Sequence, residues 1–123
     1  EYRAMGMYPS GHIMAYLRKT LCPSASTSQE TLKAKDGAEI TVAGIVIRRQ
    51  RPMGKTLFIT LEDELGHIPL ILWPNVYKRY RQVIENPFIL VNGTVSRRDG
   101  TINIIVSTAK ALSQPSPIPR SNI

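Results

Sequence analysis

The feature that most constrains the fold is the order of the apolar patterns after residue 38, where segments with strand spacing and one segment with helical spacing follow one another. Alternation of apolar and polar residues with a period of two indicates a β-strand. It occurs in five segments: Glu39 to about Arg51, Lys55 to Glu62, Ile68 to Trp73, Phe88 to Val95, and Ile102 to Val106 with its extensions. Between the third and fourth, Pro74 opens a segment with helical spacing, and proline is favoured in the first turn of a helix. The predicted order is strand, strand, strand, helix, strand, strand.

This order indicates one particular small barrel. Five strands with a helix between the third and fourth are typical of the Greek-key OB barrel, whereas a ferredoxin-like fold needs two helices at other positions. Gly44 lies inside the first strand and predicts a bulge or bend, which a small barrel needs to close. Asp99-Gly100 predicts a tight hairpin between the last two strands. We therefore predict an all-β domain with small α content, an OB barrel over residues 37–112.

The segments that flank the predicted barrel have a different character. Residues 1–36 are predicted to form a connector, irregular and partly helical, with helical spacing from Ser10 to Leu21 and a short turn from Ser28. Residues 113–123 are rich in proline and serine, which predicts a disordered tail. Because the chain starts at Glu1 without a methionine, we expect it to be a fragment of a longer protein.

The bulk composition narrows the classes of partner. The chain has 123 residues and a formal net charge of +7, which favours a polyanion because contacts from Lys and Arg to phosphate release counterions. No apolar stretch is long enough for a membrane span, so we expect a cytoplasmic protein without a membrane partner. The single cysteine, Cys22, agrees with a reducing compartment. Two histidines and one cysteine cannot build the usual structural zinc site.

The cations cluster where an OB barrel would need them. Such barrels bind oligonucleotides on the face of strands 2 and 3, flanked by the loops between strands 1 and 2 and between strands 4 and 5. The first of these regions holds four cations in eight residues and no acid, which favours a functional interpretation over ordinary solvated turns. The cations of the helix are interpreted as ordinary surface charge. The cations predicted to contact nucleic acid are Arg48, Arg49, Arg51, Lys55, Arg97 and Arg98.

Two aromatic residues bear on the same question, since single-strand binders stack bases on aromatic faces. Phe58 and Thr60 alternate with the three apolar residues of the second strand. The three apolar residues favour a phase in which they fill the barrel, so Phe58 and Thr60 are predicted to lie on the outer binding face and to contact nucleic acid. In the reverse phase Phe58 would belong to the core. Trp73 ends the third strand and is predicted to plug the barrel rim rather than to serve as a stacking platform.

No arrangement of residues indicates an active site, so no catalytic residue, metal or cofactor is predicted. Glu62, Asp63 and Glu64 are consecutive and alternate in direction on a strand, and we interpret them as a solvated turn. His12 and His67 have no nucleophile close by in the sequence. The chain is therefore expected to be a binding domain without catalytic activity of its own.

Several runs resemble one family. Residues Val42-Ala43-Gly44-Ile45-Val46, Arg49-Gln50-Arg51-Pro52, Phe58-Ile59-Thr60-Leu61-Glu62-Asp63 and Trp73-Pro74-Asn75-Val76-Tyr77 are similar to the OB domain of bacterial C-family DNA polymerases. That family comprises the DNA polymerase III alpha subunits and the error-prone polymerases, and the Arg-Gln-Arg-Pro run looks closer to the second branch. The leader Gly6–His12 is similar to the segment before this domain. The resemblance implies a domain that holds the single-stranded DNA template, with replication proteins as further partners and the catalytic aspartates in another domain.

Two alternatives remain open. The runs Gly44–Arg49 and Leu57–Ile59, with Asp63 and Gly66, are also similar to the anticodon-binding OB domain of class II aminoacyl-tRNA synthetases, in which the aromatic matching Phe58 stacks an anticodon base. This family ranks second because its OB domain is N-terminal and lacks the leader. The third hypothesis is a module that docks other replication proteins, which a salt-insensitive protein interaction without oligonucleotide binding would establish.

Overall fold

A computed structural model describes residues 11–21, 24–51 and 56–112 of the chain. Two helices come first, α1 (Gly11–Leu21) and α2 (Ser28–Lys33), and both lie where the connector was predicted to be helical. The strands and the helix that follow are β1 (Glu39–Gln50), β2 (Leu57–Glu62), β3 (His67–Leu72), α3 (Pro74–Tyr80), β4 (Phe88–Arg98) and β5 (Thr101–Ala111), with a 3-10 turn at Val83–Glu85. The predicted order of strands and helix is confirmed. Lys55, Cys22 and the tail at 113–123 lie outside the described residues.

The strands close into a barrel in the order β1-β2-β3-β5-β4, and β4 pairs with β1 to complete it. Only the contact between β3 and β5 is parallel, where Leu70 pairs with Ile104 and Ile71 with Ile105. The other four neighbouring pairs are antiparallel. The predicted five-stranded OB barrel, all-β with small α content, is confirmed.

The interior of the barrel follows from strand alternation, because successive side chains of a strand point to opposite faces. Leu57, Ile59 and Leu61 of β2 are buried, whereas Phe58 between them is 37% exposed. Residues from β3, β4 and β5 complete the same core, together with Ile84 of the 3-10 turn that follows α3. The predicted phase of the second strand, with Phe58 outside, is confirmed.

Two local features of the backbone were predicted, and one of them is displaced. Asp99 and Gly100 have φ values of 53° and 77°, as both central residues of a tight hairpin turn require, so the hairpin is confirmed. The bulge, however, lies at Ile47, between Val46 and Arg48, and not at Gly44. The prediction of a bulge at Gly44 was therefore wrong, and a bend at that position stays a prediction. Gly44 instead permits a close approach, because a Cβ there would lie 2.9 Å from the Glu62 carbonyl oxygen.

The connector packs against the outside of the barrel. Met14 and Leu17 of α1 form a second apolar cluster with Ala25, Ala43 and Leu112. The backbone N–H of Ser26 donates to the Thr41 carbonyl at 2.7 Å, which adds a short parallel bridge beside β1. A capping box at Thr27 then starts α2. The connector is thus joined to the barrel by apolar packing and by backbone hydrogen bonds.

The acidic turn after β2 is buried, so its interpretation as a solvated turn was wrong. Asp63 has no exposed surface and accepts hydrogen bonds from the Ser28 backbone N–H at 2.6 Å and the Ser28 hydroxyl at 2.8 Å. The guanidinium of Arg18 lies 3.3 Å from Asp63 and 2.7 Å from Glu64. Ser28 of α2 and Arg18 of α1 precede Asp63 by 35 and 45 positions, so local sequence gave no sign of these partners. These contacts fasten the connector to the turn between β2 and β3.

None of the helices in the described ranges is both long and apolar enough to cross a membrane. The same part of the chain contains no group of three or more His, Cys, Asp or Glu side chains arranged to hold a metal ion.

Candidate nucleic-acid interface

The outward side of β1, β2 and β3 presents two rows of side chains. Residues at paired positions of neighbouring strands point to the same face of a sheet. The pairing therefore gives one row formed by Gln50, Phe58 and Ile71, and a second formed by Arg48, Thr60 and Pro69. We call these two rows, together with Trp73, the outer face. Phe58 lies in the middle of its row, between the aliphatic side chain of Ile71 and the amide of Gln50.

The bulge at Ile47 decides which arginine reaches the outer face. Val42 and Val46 point into the barrel, so uninterrupted alternation along β1 would point Arg48 inward and Arg49 outward. The extra residue changes this phase, and Arg48 becomes the partner of Thr60 while Arg49 pairs with the buried Ile59. The bulge thus brings Arg48 to the same side as Phe58.

Arg49 and Arg51 lie instead at the end of the barrel beside α3. The Arg49 guanidinium donates to the Ile84 carbonyl at 2.8 and 3.1 Å, which holds it against the 3-10 turn. The Arg51 guanidinium lies 4.5 Å from the centre of the Tyr77 ring, in a cation–π contact. Both line a cleft of about 310 Å³ with Arg81. These two arginines are therefore separated from Phe58 and engaged by neighbouring protein groups.

Arg97 is likewise engaged by protein groups, at the end of β4 beside the connector. Its Nε donates to the Ala34 carbonyl at 2.7 Å, another of its nitrogens donates to the Leu32 carbonyl, and its backbone N–H donates to Asp36 at 2.7 Å. It thereby ties the end of the connector to β4. Arg98, the next residue, points to the other face, as its pairing with Thr101 requires.

Trp73 extends the outer face towards β5. It is 47% exposed, so the prediction that it plugs the rim was wrong. Leu72 fills the core at the end of β3, so alternation turns Trp73 outward, and Pro74 starts α3 immediately afterwards. Trp73 lines a pocket of about 310 Å³ whose other members are Ile71, Ser96, Arg98, Thr101, Asn103 and Ile105. We call this the Trp73 pocket. Because Ile71 belongs both to the row of Phe58 and to this pocket, the two surfaces are continuous.

The structure therefore divides the predicted site residues into two sets. Arg48, Phe58, Thr60 and Arg98 lie on one continuous surface formed by the outer face and the Trp73 pocket. Arg49, Arg51 and Arg97 lie elsewhere, and Lys55 is outside the described residues. Sequence reasoning missed Gln50, Ile71 and Asn103 as members of this surface. The parity of β3 could have indicated Trp73, because Ile71 and Trp73 are two positions apart and share a face.

The charges near this surface favour an anionic ligand. In the described part of the chain, the side chains of Arg48 and Arg98 form no hydrogen bond or ion pair with another protein group. The nearest acid on the outer side of β2, Glu62, is mostly buried and lies 3.1 Å from His67. Asp63 and Glu64 are compensated by Arg18. Within the described residues, neither arginine of the surface is thus paired with a carboxylate, including Asp99, which follows Arg98 in the hairpin turn.

An exposed phenylalanine and an exposed tryptophan, flanked by arginines on the side of an OB barrel, define a class of nucleic-acid-binding domain. In agreement, the family model described as "OB-fold nucleic acid binding domain" matches residues 40–112, and the chain belongs to this family. The relatives are more particular. Over 117 residues the chain is 36% identical to an error-prone DNA polymerase of Anaeromyxobacter dehalogenans, an alignment that covers 92% of this chain. The resemblance to error-prone polymerases is confirmed. The chain spans about 10% of the length of that relative.

Solved structures with the same fold are more distant in sequence. Asparaginyl-tRNA synthetase from Pyrococcus horikoshii, complexed with asparaginyl-adenylate, aligns with a TM-score of 0.62 at 22% identity, over 78% of this chain and 24% of that one. A replication protein A heterotrimer bound to single-stranded DNA aligns with a TM-score of 0.52 at 20% identity, over 66% of this chain and 62% of the other. At these identities the likeness concerns the fold alone.

Proposed function

We propose that this domain binds single-stranded DNA on the outer face and holds the template strand for a polymerase of the error-prone type. The observation that carries the proposal is the continuous surface on which Phe58 and Trp73 are both exposed, with Arg48 on one side and Arg98 on the other. The domain itself supplies binding and no catalysis. Its proposed contacts are made by Arg48, Phe58, Thr60 and Arg98.

The exposed aromatics support a single strand rather than a duplex. Bases can stack on aromatic side chains only when they are unpaired, and each such stack contributes about 1–3 kcal/mol. Contiguous exposed apolar surface marks interaction sites, whereas single exposed apolar residues are common, so two exposed aromatic rings on one surface support a ligand that covers them. The aliphatic surface of Ile71 between them continues the same apolar track. A strand lying along this track would place its bases on the barrel.

The arginines support contacts to the phosphate backbone. Phosphate contacts position a nucleic acid without reading its sequence. Arg48 and Arg98 enclose the aromatic track. Lys55, which lies outside the described residues, stays a prediction from the sequence. With about 3–6 phosphates engaged, the log–log dependence of affinity on salt should have a slope of roughly −2 to −4.

The longer protein is the second part of the proposal. Because the polymerase relatives are about ten times as long as the matched region, we propose that this chain is one domain, residues 37–112 with the connector before it, of a bacterial DNA polymerase. Such a polymerase would act in DNA replication and repair in the cytoplasm, with other replication proteins as further partners. The catalytic residues would lie in other domains of that protein.

The test is fluorescence anisotropy with a labelled single strand of about 20 nucleotides, longer than the ~4–16 that one OB fold covers. Unlabelled duplex and tRNA serve as competitors, and the titration is repeated at about 50 and about 200 mM salt. We expect binding that weakens with salt and that duplex competes poorly. Preferential competition by tRNA would support the anticodon hypothesis instead. Absence of binding to every nucleic acid would refute the proposal and favour a protein-docking module.

A further inference from the structure

The Trp73 pocket contains an aromatic surface that the fold does not use. Trp73 is the single tryptophan of the chain, and it is not among the residues that pack against the barrel core. The core at this end of β3 is filled by Leu72. Pro74, the first residue of α3, follows directly and restricts the backbone at this point. The backbone of Trp73 is therefore restricted, while the surface of its indole remains available.

Polar groups without protein partners lie on the other wall of the pocket. Ser96 and Asn103 are paired across β4 and β5, and both side chains are only partly exposed. Within the described ranges, neither side chain hydrogen-bonds another protein group. Asn92 is different, because its amide bonds both Thr41 and Thr108. An amide at Asn103 that the fold leaves unused, opposite an exposed indole, is an arrangement suited to a flat ligand with a polar edge.

We propose that the Trp73 pocket takes one unstacked purine base of the bound strand, with Trp73 as its stacking surface and Asn103 and Arg98 as readers of its edge. This inference rests on the proposed single-strand binding and adds a base preference at one position. The pocket volume of about 310 Å³ accommodates a purine. Asparagine and arginine side chains pair with adenine and guanine respectively, and in both cases the N7 atom is an acceptor. Pyrimidines have no N7, so they would lose these contacts.

The experiment uses the fluorescence of the single tryptophan as a local reporter. The reference ligand is an oligothymidine of about 12 nucleotides, within the ~4–16 that one OB fold covers. It is compared with the same strand carrying one central adenine, one central guanine, or one central 7-deaza-adenine. One purine is sufficient because a uniform strand can shift until that base reaches the pocket. Emission and anisotropy are measured in the same titration.

We expect the adenine and guanine strands to quench Trp73 and to bind about 5- to 150-fold more tightly than oligothymidine, the range expected for one good base contact. The 7-deaza strand should lose most of this advantage. The variant Asn103→Ala should lose most of the adenine advantage, whereas the guanine advantage, which is assigned to Arg98, should be affected less. Lys110→Ala, on the same strand and outside the pocket, removes one charge and should keep the advantage.

The variant Trp73→Phe is the second check, because it keeps a stacking ring and should retain part of the purine advantage, whereas Trp73→Ala should remove it. Urea unfolding of each variant tests that the barrel is intact. If all strands bind equally, or if anisotropy rises while the emission of Trp73 stays constant, the purine pocket is refuted and single-strand binding stands. If no strand binds, both the pocket and the proposed function are refuted.

Discussion

Two adjacent arginines of β1 should give opposite results when each is replaced by alanine. Arg48 points to the outer face, so Arg48→Ala should remove one phosphate contact and reduce the salt slope by about 0.7, the value per phosphate for single strands. When the salt concentration rises from about 50 to about 200 mM, the variant should lose affinity by a factor that is about 2.5 times smaller than the factor lost by the unmodified domain. Arg49 instead donates twice to the Ile84 carbonyl. Losing those bonds from a largely exposed charged group should cost about 1 kcal/mol of stability, or about 4–8 °C in Tm.

The assay combines a salt series by anisotropy with thermal unfolding of both variants. Arg48→Ala should alter the slope and leave the Tm unchanged, and Arg49→Ala should do the reverse. Each variant is the matched control for the other, since both remove the same charge from neighbouring positions. If Arg49→Ala reduces the slope while Arg48→Ala does not, the bulge at Ile47 does not set the direction of these side chains and the reasoning fails.

Three further changes test the surface and the fold. Phe58→Ala should weaken single-strand binding by about 1–3 kcal/mol, whereas Leu65→Ala, at the same 37% exposure in the turn after β2, should not; equal losses would contradict the stacking role. Asp63→Ala should lower the free energy of unfolding, measured by urea unfolding, by about 3–5 kcal/mol, because it leaves the Ser28 donors unpaired in a buried site. A smaller loss than that of Glu64→Gln would refute this. Gly93→Ala should destabilise the barrel by about 1–3 kcal/mol in a thermal melt, because a Cβ would overlap a backbone carbonyl of β5; an unchanged Tm would contradict it.

The architecture could be predicted because its signals are local. The alternation of Leu57, Ile59 and Leu61 with Phe58 requires one buried and one exposed face, whatever the rest of the chain does. The Asp99-Gly100 pair specifies a turn that few other residues can form. Pro74 likewise marks the start of α3. Together these signals determined the order of strands and helix, and that order determined the barrel.

The candidate site was predicted only in part. Which residues belong to it depends on whether the side chains near the end of each strand point outward or inward. The cluster of cations around residue 49 indicated a basic region but could not separate Arg48 from Arg49. A one-residue bulge reverses the direction of every side chain after it, and its position at Ile47 is set by the pairing of β1 with β2. The exposure of Trp73 was also not predictable from the sequence, because Trp73 points outward only if Leu72 before it is buried in the core.

The sequence by itself determined the barrel, the outward position of Phe58 and the positive charge of the chain. Only the tertiary structure decided which cations remain available and that the acidic turn is buried. Arg18 and Asp63 are 45 positions apart, and Arg97 and Leu32 are 65 positions apart. Such contacts form when the connector packs on the closed barrel, so no local pattern encodes them. Strand periodicity is a property of neighbours in the chain, whereas a binding surface is a property of neighbours in space.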